Sequence, residues 1–171
     1  KQGQSYNDPD FVKAANCIKE LVDMGAFIDG ATGLSNDEAS ASFYAEQVPM
    51  YFTGSWMGGS IVTDAEKPDN FAVAPIPVVN SKNASVTDFM GGGSDTLMVS
   101  ANTKNKDLAA AAAFEITRGV SKHAYLSGAG IPAWTVDYDA SSVPALTQQV
   151  ADIAGKATSY TLWFDTLMSS D

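Results

Sequence analysis

The chain alternates short β-prone apolar runs with longer stretches of helical periodicity. Phe11, Ala15, Ile18 and Val22 recur at helical spacing and predict a first helix. Asp8 can cap it, Pro9 suits its first position, and Gly25 can close it, with Asp29-Gly30 beyond. Residues 32–36 read as a loop. Ser35 and Glu38 then have the spacing of a capping box that opens a short helix through Phe43 and Tyr44. Next comes a β-prone run, Val48, Met50, Tyr51 and Phe52, that stops at Gly54-Ser55-Trp56, where a helix-like segment starts at once.

Beyond it, Pro68-Asp69-Asn70 predicts a turn and Phe71 to Ala74 a short strand. Pro75-Ile76-Pro77 makes an extended exit, because two prolines exclude a central strand. After a polar turn from Asn80 to Ser85, Gly91-Gly92-Gly93 leads into a strand from Thr96 to Ser100. An alanine-rich helix is expected from Leu108 to Arg118, closed by Gly119, with a short second helix through His123, Tyr125 and Leu126 ending at Gly128. Ile131 to Trp134 is extended. Ser142 is expected to cap a helix holding Val143, Leu146, Val150 and Ile153, ended by Gly155. Thr158 to Asp171 reads as a loop running into a helix. Strands mixed with helices argue an α/β fold. The strands are too few for a complete doubly wound domain, which fits part of a larger one.

Composition narrows the function. The 171 residues suffice for a domain with a real core. Twenty acidic against ten basic residues, a formal charge of −10, oppose binding to nucleic acid or anionic lipid, since both need clustered cations. One cysteine, Cys17, excludes an internal disulfide and reads as a helix-core thiol among Ala14, Ile18 and Leu21. One histidine, His123, leaves too few ligands for a zinc site of His and Cys, and no nucleophile motif lies near it. No apolar stretch approaches the roughly 20 residues of a membrane span. The chain starts at Lys1 rather than Met, which leads us to expect a longer natural polypeptide.

All three tryptophans, Trp56, Trp134 and Trp163, fall where a chain element changes direction. An indole is a flat platform for the C–H face of a sugar ring, and Asp88, Asp165 and Ser55 could bind hydroxyls beside it. For a single tryptophan, core packing is as good a reading. Gly91-Gly92-Gly93 permits a bend or hinge; no Gly-Lys-Ser/Thr follows for a phosphate loop. Asp88, Asp95 and Asp165 could be arranged as a glycosidase pair, but with twenty acids surface carboxylates are the default reading. Asp137-Tyr138-Asp139 lacks the glycine and distal glutamate of a calcium loop and reads as a solvated turn.

In order, these segments resemble the extracytoplasmic solute-binding proteins of ATP-binding-cassette sugar importers, of the maltose-binding-protein type. The series runs from the helix ending in Leu21-Val22-Asp23-Met24-Gly25 through Tyr51-Phe52-Thr53-Gly54-Ser55-Trp56 and Phe71-Ala72-Val73-Ala74-Pro75-Ile76-Pro77. It continues with Gly91-Gly92-Gly93, Leu97-Met98-Val99-Ser100, Thr103-Lys104-Asn105-Lys106, Gly130-Ile131-Pro132-Ala133 and Trp163-Phe164-Asp165. No single motif decides; the series covers nearly the whole chain. At Glu46 to Met50 the family usually has a Gly-Lys pair followed by small residues, and this chain departs from it.

The resemblance implies a periplasmic-binding-protein-like type II fold, of which the chain is the C-terminal portion. Residues 1–92 are then mainly the C-terminal lobe, 93–155 cross to the other lobe, and 156–171 return. Sugar would sit in the cleft on Trp56, Ser55, Gly54, Asp88, Gly92, Trp134, Trp163 and Asp165, with no catalytic residue, metal or cofactor. Hinge closure would present the ligand to a membrane permease, from a periplasmic or lipid-anchored position outside the cytoplasm. Without the other lobe, the chain could pair with a second copy. The alternatives are a glycoside hydrolase fragment and an adhesion module without a small ligand.

Overall fold

The computed structural model describes residues 5–92 and 95–163. The chain divides into two compact units, Lys1–Tyr51 and Phe52–Asp171.

The first unit holds α1 (Pro9–Asp23), a 3₁₀ turn at Ala31–Gly33 and α2 (Asn36–Tyr44). Pro9 occupies the first turn of α1 as expected, but Asp8 makes no side-chain cap; its carboxylate accepts from the Ser5 N–H instead. Gly25, at φ +72°, turns the chain out. The Gly25 and Ala26 N–H groups donate to the Val22 and Leu21 carbonyls, the paired bonds that close a helix on a left-handed glycine. The apolar stripe of α1 forms but is not buried: Ile18 and Val22 face solvent, and Cys17 is half-buried on a helix without buried residues. The capping box of α2 is complete. The Glu38 N–H donates to Ser35 Oγ, and the Glu38 carboxylate accepts from the Ser35 N–H and Oγ.

In the second unit, α3 (Met57–Asp64) follows Trp56 directly. β1 (Asp88–Met90) precedes α4 (Lys106–Ser127), α5 (Ala145–Ala154) and β2 (Ser159–Thr161). β1 and β2 pair in parallel, Phe89 opposite Tyr160. Bonds from Thr158 N–H to the Thr87 carbonyl and from Gly91 N–H to the Thr161 carbonyl extend the ladder at both ends.

The core gathers where α3 meets the end of α4 and the start of α5. Met57, Ile61, Tyr125, Val143 and Leu146 are buried there, and Thr147 is completely buried. The Gly59 N–H donates to the Gly128 carbonyl at 2.8 Å, and Thr147 Oγ1 donates to the same carbonyl at 3.4 Å. A Cβ at Gly58 would lie 2.6 Å from Thr147 Oγ1, and one at Gly59 2.8 Å from the Ser127 carbonyl oxygen. Both positions therefore require glycine for close approach.

Several expectations are corrected. The runs at 48–52, 71–74 and 96–100 do not form strands, and 51–54, 71–78 and 95–100 run without regular structure. A strand exists only with a neighbour about 4.8 Å away, and the one ladder among the described residues is β1 with β2. Gly119 does not end a helix, and α4 runs through it to Ser127. Glycine in a helix costs about 1 kcal/mol relative to alanine, too little to break a strongly helical segment. The helix stops at Gly128, whose φ of +81° the helix cannot hold. Ser142 does not cap α5; the cap position is Pro144 and Val143 is buried before it. Of the segment expected as a loop running into a helix, Ser159–Thr161 forms strand β2 instead, and residues 164–171 lie outside the described residues.

Gly119→Ala should stabilise the protein by up to about 1 kcal/mol, since nothing lies within 4 Å of the added Cβ. Gly59→Ala should destabilise it by roughly 1–3 kcal/mol, because that Cβ meets backbone. Urea midpoints of the full-length polypeptide check both; equal shifts would dismiss the close approach as a constraint.

Candidate functional site

Trp56 stands at the N-terminal end of α3 with 56% of its surface exposed. A core indole is excluded. The ring lies over Gly54: a Cβ there would overlap its six-membered edge. The glycine before the tryptophan thus provides the slot in which the ring lies, and Ser55 between them is half-buried.

Below the ring, a groove of about 270 Å³ is walled by Trp56, Ser60, Thr63 and Asp64 on one side and Ser127 and Ala129 on the other. Positions 56, 60, 63 and 64 fall on one face of a helix. Thr63 Oγ1 donates to the Gly59 carbonyl, so its hydroxyl oxygen is turned to accept. The groove therefore offers a flat aromatic surface, hydroxyls and one carboxylate. Sequence reasoning missed Ser60, Thr63 and Asp64, and the signal for them was this polar spacing behind Trp56.

The other expected residues lie elsewhere. Asp88 is on β1, and its carboxylate accepts from the Ser85 N–H (2.6 Å) and Ser159 Oγ (2.7 Å), with Thr158 Oγ1 at 3.5 Å. The Ser159 bond first, then the Ser85 and Thr158 bonds, hold its carboxyl below the usual range against a small opposing effect of burial. Oδ1 joins the two strands through Ser159 and Thr158, and Oδ2 holds the turn before β1 through the Ser85 N–H.

Gly91 (φ +134°) and Gly92 (φ +156°) follow β1 with a positive φ that favours glycine, without a bend or turn at either residue. A Cβ at Gly91 would touch the Trp163 indole at 3.5 Å, and one at Gly92 would press on Leu162 at 3.2 Å. The structure thus brings Trp163 to Gly91 and Leu162 to Gly92, beyond the ends of β1 and β2. Trp134 is in a separate cleft, edge-to-face with Phe114 at 4.9 Å. Neither Trp134 nor Trp163 lines the groove under Trp56. Asp165 lies outside the described residues.

Among the described residues no group of His, Cys, Asp and Glu is placed to hold a metal ion. Asp137 pairs with Arg118, and Asp139 accepts from the Ser141 N–H, which lowers its pKa. His123 is exposed on α4. No helix among the described residues is long and apolar enough to cross a membrane.

Hydrogen bonds hold Asp88, Glu38 and Asp139 below their ordinary pKa values. The stability they contribute is complete above the unfolded values, about 3.9 for Asp and 4.3 for Glu, and is lost as pH falls through the lower folded ones. Asp88→Asn should lower the urea midpoint at pH 7 and flatten its decline between pH 5 and pH 3. An unchanged decline would dismiss Asp88 as a contributor.

Comparison with curated protein sequences gives no match. Among solved structures, the chain superposes with a TM-score of 0.83 on a protein from a study of xylan utilization by the thermophilic bacterium Caldanaerobius polysaccharolyticus. The two are 30% identical over 98% of this chain and 44% of the other. A chitin oligosaccharide binding protein superposes with a TM-score of 0.77 at 21% identity, over 98% of this chain and 42% of the other. The chain thus spans less than half the length of these similar structures, as the expected partial α/β fold requires. The model of the bacterial extracellular solute-binding protein family matches residues 1–114. With two thirds of its length matched by that model, the chain belongs to the bacterial extracellular solute-binding protein family.

Proposed function

We propose that the chain is part of an extracytoplasmic sugar receptor of an ATP-binding-cassette importer. One observation carries the reading: an exposed indole, set at the head of α3 by the slot at Gly54, above a groove of hydroxyls and a carboxylate. The C–H face of a pyranose is apolar and its rim is polar, so a flat ring with acceptors beside it suits both parts. Trp56 stacks on the sugar. Ser60, Thr63 and Asp64 take hydroxyl hydrogen bonds, Asp64 as the strongest acceptor. The two similar structures, one from work on xylan utilization and one a binder of chitin oligosaccharides, support a saccharide ligand.

Under this reading the protein binds and does not catalyse. The glycines from Gly91 stand at a crossing between the lobes, and the return comes before α5 rather than after residue 155, since α5 packs on α3 in the part that carries Trp56. Ligand favours the closed form only by its greater affinity for it. That form docks on the permease, and the receptor is held outside the cytoplasm, free or by a lipid anchor.

The test is a thermal-shift and calorimetric screen of the full-length polypeptide against xylo- and chito-oligosaccharides. At least one should raise the melting temperature in a concentration-dependent way. Trp56→Ala should weaken its binding tenfold or more, about 1.4 kcal/mol. Trp56→Phe should retain part of the affinity. Unchanged affinity in Trp56→Ala removes the stacking role, and a panel without any shift removes the sugar reading.

A further inference from the structure

We propose that the cleft between α4 and residues 132–138 is a second binding place for a single neutral sugar ring, independent of Trp56. Helix α4 turns Phe114, Arg118, Ser121 and Lys122 to one side, at helical spacing. Each grips the returning segment. Phe114 meets Trp134 edge-to-face at 4.9 Å. The Ala133 N–H donates to Ser121 Oγ at 3.2 Å. The Arg118 guanidinium donates to the Asp137 carboxylate. The Lys122 ammonium lies 4.9 Å from the centre of the Tyr138 ring. These four ties fix both walls and leave a cavity of about 230 Å³ between them. It shares no lining residue with the groove under Trp56.

Its size and chemistry select the occupant. A volume of about 230 Å³ has room for one ring with its substituents and not for a chain of them. The formal charges of the wall cancel, Glu115 and Asp137 against Arg118 and Lys122, in a chain that is otherwise strongly acidic. An anion would meet two carboxylates and a cation would meet two basic heads. A polyhydroxylated ring instead needs donors and acceptors side by side, and the half-open Arg118–Asp137 pair supplies both. Trp134, 37% exposed and fixed by Phe114, supplies the flat apolar surface. The choice of a saccharide over other ring compounds rests on the reading of the preceding subsection; the cleft itself does not.

The test follows the indole N–H signals of the full-length polypeptide by two-dimensional NMR. Methyl xyloside, methyl glucoside and methyl N-acetylglucosaminide are titrated in turn, with sodium acetate as the anion probe. The Trp134 signal is assigned by its loss in Trp134→Phe. We expect it to shift and saturate with at least one glycoside, with the same midpoint in wild type and in Trp56→Ala. Arg118→Met should move that midpoint at least threefold to higher concentration. A Trp134 signal that no glycoside moves would overturn the proposal. So would one that moves in wild type but not in Trp56→Ala, or one that moves with acetate and not with glycosides. Binding lost at Trp56 with the Trp134 response intact would leave this cleft standing, and the reverse would leave the Trp56 groove standing.

Discussion

Helix α3 approaches the end of α4 so closely that the Gly59 N–H donates to the Gly128 carbonyl, and the surroundings of Trp56 depend on that contact. A backbone bond between elements that far apart in sequence requires that no side chain stand between them. Gly58 and Gly59 meet that condition on α3, and Gly128 meets it as the left-handed residue that ends α4. Thr147, at the start of α5, completes the junction with its hydroxyl on the same carbonyl. Three helices are thereby fixed with little apolar area, and one face of α3 stays open as the groove wall.

The two short strands solve a different problem with polar means. A three-residue parallel pair has little side-chain packing to hold it. Here hydrogen bonds replace packing. Asp88 bridges to Ser159 and Thr87 bonds with Thr158, beside the single ring contact of Phe89 with Tyr160 at 6.2 Å. The same register brings Trp163 to Gly91. The carboxylate that reads from sequence as a hydroxyl binder is thus engaged in joining strands far apart in the chain.

Local signals in the sequence predicted local structure well. The capping box at Ser35, the proline start of α1 and its glycine end all appear, because each is settled within one turn of helix. The end of the apolar run at Gly54 and the helix that follows were legible for the same reason; the exposure of Trp56 was not, since core packing was as good a reading of that ring. Beyond the caps expected at Asp8 and Ser142, what failed depended on neighbours. The apolar runs at 48–52, 71–74 and 96–100 have the composition of strands, yet a ladder needs a second strand that composition does not supply. Gly119 and Gly128 look alike in sequence, and only the second takes a positive φ. For the candidate site, the tryptophans stood out one by one. That the groove under Trp56 holds neither of the other two required three dimensions, as did the face of Ser60, Thr63 and Asp64.

The indole of Trp56 occupies the volume that a side chain at position 54 would need. The pitch of the ring is therefore set by a residue that has no surface of its own in the groove. An added methyl at that position would leave the aromatic area and the polar wall unchanged and rotate one against the other. Under the proposed reading, selectivity is then a matter of angle: a sugar ring would be accepted or refused by the inclination of its seat, and that inclination would drift in evolution without exchanging any group that touches the ligand.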